Sequence, residues 1–334
     1  MREKTRVWKT LSWLMLALLF VGILLSPYGS QHGYYLAEAK FMAQGLVPWL
    51  DFSLMDMPMG IEVLALPYRI LGIEATGHAA LALMALMQVV NTLVLYLVLR
   101  RYHVDGPARW ASILFYLLGL FAFGGLHLGV EPFAVFILLL SCFSLRSHRK
   151  SKNVLAAILM GVACCFKIQS VVLIPLLAPI ILIPRHHKTW HWNRTLLYVT
   201  VSIVSLGVVY VGMIMYSDTP NWLSHIDFNA YKGSWLQILL PFIILQMGSW
   251  QQKFFTHRWV WGVCGLYLVV AVICSVIELG NIVRNTSGGQ SGKQEEQLVH
   301  EYDNLLYEGA LERHEKEAAE AEYNDWLDDQ VNYE

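Results

Sequence analysis

Residues 26–72 read SPYGSQHGYYLAEAKFMAQGLVPWLDFSLMDMPMGIEVLALPYRILG and follow directly on the first strongly apolar run of the chain. Connections between packed elements are usually short. This one is long and semi-apolar, carries Glu38, Asp51, Asp56 and Glu62, and is punctuated by glycines and prolines. Residues 34–44 have helical periodicity with no breaker, and Gly45 suits a C-terminal cap. Residues 58–71 read as a second short helix, which Pro67 is expected to kink or end early. Helices of this kind lie in the membrane interface rather than crossing. On that reading Glu38 and Lys40 face water while Tyr35, Phe41 and Met42 touch lipid. So elaborate a first loop suggests a site.

The rest of the chain supplies the membrane. Of 334 residues, 56% are hydrophobic and 15% charged, and the mean hydropathy is +0.46. A soluble domain of this size carries more charge, so the fold class expected is all-α, a polytopic transmembrane helical protein. Apolar runs at 10–27, 76–99, 107–125, 131–146, 153–170, 171–184, 195–216, 235–250 and 259–278 suggest about nine spans. The basic clusters around Arg2–Lys9, Arg100–Arg109, Arg146–Lys152, Arg185–Arg194 and Lys253–Arg258 all fall on one side if the spans alternate. That is the pattern of the positive-inside rule, and it makes the N-terminus cytoplasmic and the 26–72 loop external, together with 124–131 and 217–234.

The net charge of −1 conceals two objects. Residues 279–334 hold 14 acidic and 4 basic residues, so the remainder holds 11 and 20. The division expected is a basic transmembrane domain, 1–280, and an acidic linker and helical tail, 281–334. Glu312 and Lys316 form an i,i+4 pair on that tail, and Leu298, Leu305, Leu306 and Leu311 form a thin apolar stripe that suits a protein partner. The five cysteines lie in apolar runs without metal-ligand spacing and read as small buried hydrophobes. Residues 11–27 lack a cleavage site and read as a retained signal anchor. The Arg185–Trp192 run, although rich in histidine, reads as a basic turn anchored by tryptophan. Nothing resembles a phosphate-binding glycine loop, a nucleophile elbow, a zinc motif or a nucleic-acid surface.

The first loop also resembles a known family, the GT-C type membrane glycosyltransferases that use polyprenyl-phosphate donors, such as the protein mannosyltransferases and aminoarabinose transferases. The resemblance is carried by Gln31-His32-Gly33-Tyr34-Tyr35, Gln44-Gly45, Pro48-Trp49-Leu50-Asp51 and Asp56-Met57-Pro58-Met59-Gly60. Gly129-Val130-Glu131-Pro132 is similar to the family's second external acidic motif, and the segment from Gly161 to Lys167 to its Gly-to-Lys stretch. Together they cover roughly residues 10–215. Gln31, with His32 beside it, stands where the family has its leading acid, and Met57 where a basic residue often precedes the prolines. The family also continues for further spans or ends in a folded external domain, which this sequence does not.

The resemblance implies transfer of a sugar from a polyprenyl-phosphate lipid to a lipid, glycan or protein acceptor at the outer face of a bacterial inner membrane. It implies Glu131 as acceptor-side base or metal ligand, with Asp51, Asp56 or His32 replacing the usual first-loop acid. Lys167 would neutralise the phosphate, and Tyr34, Tyr35, Arg69 and Gln31 would line the substrate. The metal ligands are left open, with a divalent ion as the cofactor to consider. An ammonium within an apolar run must snorkel, pair with an acid or meet a lipid phosphate, and Lys167 is such a group. The rival reading is a non-catalytic relative that binds lipid or scaffolds a complex through its acidic tail. A transporter ranks third, because no paired broken spans or internal repeat are present.

Overall fold

A computed structural model describes residues 2–25, 30–48, 51–52, 54, 56–73, 77–122, 124–145, 150–174, 192–217 and 237–245. Among these residues the chain is all-helical, apart from one isolated bridge between Pro48 and Phe52. The order is α1 (Arg2–Leu24), α2 (Ser30–Ala43), α3 (Pro58–Leu71), α4 (His78–Arg101), α5 (Gly106–Ala122), α6 (Glu131–Leu145) and α7 (Lys150–Phe166). A 3-10 turn (Ile168–Val172) and α8 (Trp192–Ser217) follow, and residues 237–245 add a further helical segment.

Among the described residues three helices are long and apolar enough to cross a membrane: Thr5–Leu24 within α1, His78–Arg101 and Asn193–Met213 within α8. With the composition they make this an integral membrane protein. The sequence suggested about nine runs that cross or nearly cross the bilayer, and only part of that set falls within the described residues. Helices α5 and α6 are apolar but have 17 and 15 residues, about 26 and 22 Å, against a hydrocarbon core of roughly 30 Å. The run at 153–170 is not one helix either, because α7 stops at Phe166. The runs at 171–184 and 235–250 lie partly, and that at 259–278 wholly, outside the described residues. So do the 217–234 loop apart from its first residue, the Arg185–Trp192 run apart from its last residue, and the acidic 281–334 tail.

Helix α6 begins beside the middle of α4. Buried Asn91, thirteen residues into α4 (78 to 91), or roughly 20 Å along its axis, donates from Nδ2 to the Pro132 carbonyl at 2.8 Å. About three turns further along both helices, Tyr102 donates to the Cys142 carbonyl at 3.2 Å. Helices α4 and α6 therefore run parallel, and α6 begins about halfway along α4. The turn that leads into it leaves α5 through Gly124, whose φ of 77° suits a residue without Cβ, while the Gly125 amide donates to the Leu120 carbonyl at 2.7 Å. Ser141 donates to the Ala156 carbonyl at 2.8 Å and ties α6 to α7. Helix α8 packs on α7, and α1 lies against α4 and α5.

The first loop forms a helical hairpin of α2 and α3 packed together, with α3 reaching α4, α6 and α7. Gly45, at φ 91°, ends α2 in a Schellman motif, with Leu46 donating to the Phe41 carbonyl at 3.1 Å and Gly45 to the Met42 carbonyl at 3.2 Å. Pro58 opens α3 at a position where a missing amide costs nothing. Pro67 does not end α3, which continues to Leu71. The expected facing of α2 is also corrected. Glu38 is buried, and Tyr35, Phe41 and Met42 are buried inside the protein rather than laid against lipid. The physical reason is that α3 covers the face a lone interfacial helix would leave bare.

Candidate functional site

Lys167 decides the site. The backbone at Lys167 is extended (φ −153°, ψ 111°), between the end of α7 and the 3-10 turn. Its amide still donates to the Ala163 carbonyl at 3.0 Å, and its own carbonyl accepts from Ser170 at 3.0 Å. The break therefore redirects the side chain without stranding the backbone. The ammonium meets Asp56 Oδ2 at 2.6 Å and Glu131 Oε1 at 2.9 Å, and Tyr35 donates to the same Asp56 oxygen at 2.5 Å. The side chain of Lys167 is 1% exposed, that of Asp56 3% and that of Glu131 7%. Of the three outcomes open to an ammonium in an apolar run, this one is pairing with acids.

Two glycines permit the convergence. A Cβ at Gly129 would lie 2.1 Å from Glu131 Oε2, so the carboxylate occupies space that any other residue would fill. A Cβ at Gly60 would lie 2.6 Å from Val130 Cβ and 3.3 Å from the Phe166 carbonyl. The start of α3, the approach to α6 and the end of α7 thus meet over a residue with no side chain. Glu131 is the first residue of α6, where the helix dipole also favours an anion.

One cation between two carboxylates leaves an excess negative charge if both acids are ionised. Burial pushes the Asp56 carboxyl above its ordinary value; the Lys167 ammonium pulls it down, and the Glu131 charge pushes it up again. Asp56 is therefore the acid best placed to take up a proton in this cluster, while Glu131, the most exposed of the three, is better placed to meet a substrate.

The other residues singled out by the sequence are distributed differently. Asp51 closes its own turn: its carboxylate accepts from the Val47 amide at 2.6 Å, and its amide donates to the Val47 carbonyl at 2.8 Å. Arg69 pairs with Glu62 and donates to the Met42 carbonyl at 2.9 Å, which clamps α3 to α2. Met57 is fully buried among Ile168, Val209 and Met213, an apolar setting that would penalise the basic residue of the family pattern. Gln31, His32 and Tyr34 belong to α2, but their side chains lie outside the described residues. Asn91, which ties α4 to the start of α6, carried no signal in the sequence, and Gly60 and Gly129 stood in the quoted motifs without a stated role.

Among the described residues no group of three His, Cys, Asp or Glu side chains is suited to a metal ion. The carboxylates of Asp56 and Glu131 are the acids that converge, and the Lys167 ammonium holds the position between them. A divalent ion there would face two carboxylates and a cation, a donor set that does not fit it.

No protein-family model matches the chain, and no curated protein matches its sequence. Solved structures of an archaeal oligosaccharyltransferase are similar in outline. The Archaeoglobus fulgidus enzyme in the apo form aligns over 80% of this chain and 36% of its own, with 14% identity and a TM-score of 0.45. The same enzyme in complex with Zn and sulfate aligns over 81% and 40%, with 14% identity and a TM-score of 0.43. AglB from A. fulgidus, in complex with an inhibitory peptide and a dolichol-phosphate, aligns over 82% and 37%, with 14% identity and a TM-score of 0.41. This chain thus spans well under half the length of those proteins, and similarity of this extent assigns no residue a role.

Proposed function

We propose that this chain is a membrane glycosyltransferase of the GT-C type, moving a sugar from a polyprenyl-phosphate donor to a lipid, glycan or protein acceptor at the outer face of a bacterial inner membrane. The observation that carries the reading is convergence. The Asp56-x-Pro58, Gly129-x-Glu131-Pro132 and Gly161-to-Lys167 segments are the three pieces on which the family resemblance rests, and their charged residues meet in one buried cluster. Segments separated by up to 111 positions have no local reason to share a cation.

In this reading Glu131 takes the proton from the acceptor, Asp56 stands in for the first-loop acid absent at position 31, and Tyr35 orients Asp56. Lys167, paired with Glu131 and Asp56, offers positive charge toward the departing phosphate. Asp51 and Arg69 act in the loop's architecture.

A second reading is favoured by the closure of the cluster on itself and by apolar packing around Met57. It is a non-catalytic relative that binds the lipid and scaffolds a complex through its acidic tail. Purified full-length protein assayed with a panel of polyprenyl-phospho-sugars separates the two. Turnover that Glu131→Gln abolishes, with melting and lipid retention intact, supports the enzyme. Stable binding of polyprenyl phosphate without turnover of any donor supports the scaffold and overturns catalysis.

A further inference from the structure

A second feature lies at the opposite end of α1 from the ion cluster, where the basic ends of three helices meet. The N-terminal half of α1, the C-terminal half of α4 and the start of α5 enclose a cleft of about 220 Å³. Its walls are apolar, supplied by Leu16, Leu93 and Ile113, and its mouth is aromatic, with Trp13, Tyr96 and Trp110. The Trp110 ring lies 5.0 Å from that of Tyr96 and 6.4 Å from that of Trp13. Such a belt is usual at the level of lipid headgroups.

Two cations stand over this belt in different states. Arg109 stacks on Tyr96 at 5.0 Å and is committed to protein acceptors, donating to the Tyr96 hydroxyl at 3.1 Å and the Val104 carbonyl at 2.8 Å. Lys9 is exposed, with its ammonium 5.9 Å from the Trp110 ring, and takes no hydrogen-bond acceptor among the described residues. Arg6, Arg100 and Arg101 lie on the same helix ends, and the acid there with a described side chain is the exposed Asp105 before α5. The cleft therefore has an exposed cation, Lys9, in its lining while its walls suit hydrocarbon.

We propose that this cleft holds one anionic glycerophospholipid, with an acyl chain between α1, α4 and α5 and the headgroup phosphate on Lys9. The occupant follows from charge and placement. Two of the walls are membrane-spanning helices, so lipid is the solvent that meets the opening. The cation at the mouth selects a negative headgroup over a zwitterionic one. Ser12 strengthens the floor, donating to the Trp8 carbonyl at 2.8 Å and the Trp110 carbonyl at 3.1 Å, which fixes α1 against α5 and keeps the cleft open.

Native mass spectrometry of the full-length protein, titrated with phosphatidylglycerol or phosphatidylcholine of the same acyl chains, tests the proposal. Wild type is expected to retain one phosphatidylglycerol in preference to phosphatidylcholine. Lys9→Ala should cut that preference about fivefold, the effect of one charge near a membrane surface. Leu93→Trp, which fills the cleft from a half-exposed position, should abolish retention of both lipids. Both substitutions lie on accessible surface, so melting should stay at the wild-type value. Equal retention of the two lipids by wild type, or a preference unmoved by both variants, overturns the proposal.

Discussion

The two ends of this helical assembly handle positive charge in opposite ways. At the Lys167 end an ammonium is taken out of solvent and held by two carboxylates and, through Asp56, a tyrosine. At the other end Arg109 stacks on Tyr96 and is held by protein acceptors, while Lys9 rests on the Trp110 ring and stays exposed. The difference teaches what each charge is for. A buried ion must be compensated by partners of opposite sign or the fold fails, so its partners are dictated. A rim ion keeps its hydration and is left available for a ligand.

The comparison breaks most sharply at Lys167. Lys167→Met leaves Asp56 and Glu131 buried without their cation, and should cost about 3–5 kcal/mol of stability. A thermal melt of the detergent-solubilised protein at neutral pH reads the loss; a wild-type melting curve would show that the cluster does not hold these elements together. Next comes Gly60→Ala, whose Cβ would press on Val130 and the Phe166 carbonyl and should cost about 1–3 kcal/mol. Gly207→Ala in α8, where a Cβ meets open space, is the matched control and should melt as wild type or slightly above.

A smaller effect concerns pH. Because burial raises the Asp56 carboxyl, the folded state keeps its proton at pH values where the unfolded chain has released it. That contribution to stability is therefore lost as pH rises from about 3.8 through the raised value of the folded protein. Asp56→Asn removes the titration, so the melting temperature of wild type relative to this variant should fall across that window. A constant difference would place the proton elsewhere. Smallest of all is Lys9→Ala, which should leave the melting temperature unchanged and register only in lipid retention.

Much of the hairpin was legible. The Gly45 stop and the Pro58 start are local matters of a left-handed residue and a missing amide, and the chain states both. Of the two outcomes expected at Pro67, an early end is excluded, since α3 continues to Leu71. Glu38 misled because a charge predicts solvent only when no neighbouring helix covers it. The 131–146 run was counted among those that cross or nearly cross, and that it starts halfway along α4, with Asn91 bonded to Pro132, is visible only in the fold.

The sequence by itself determined the solvent and the parts: apolar runs that belong in a bilayer, basic ends gathered on one side, and a loop rich in capping residues and acids. These follow from composition and spacing, which do not need the chain to be folded. Only the tertiary structure decided which acid goes with which cation. Asp51 and Asp56 look alike in sequence, yet one closes a turn and the other reaches Lys167, 111 positions away. That choice rests on the close approach of α3, α6 and α7 over Gly60, and on the cost of burying an ammonium, which only carboxylates brought from distant segments can offset.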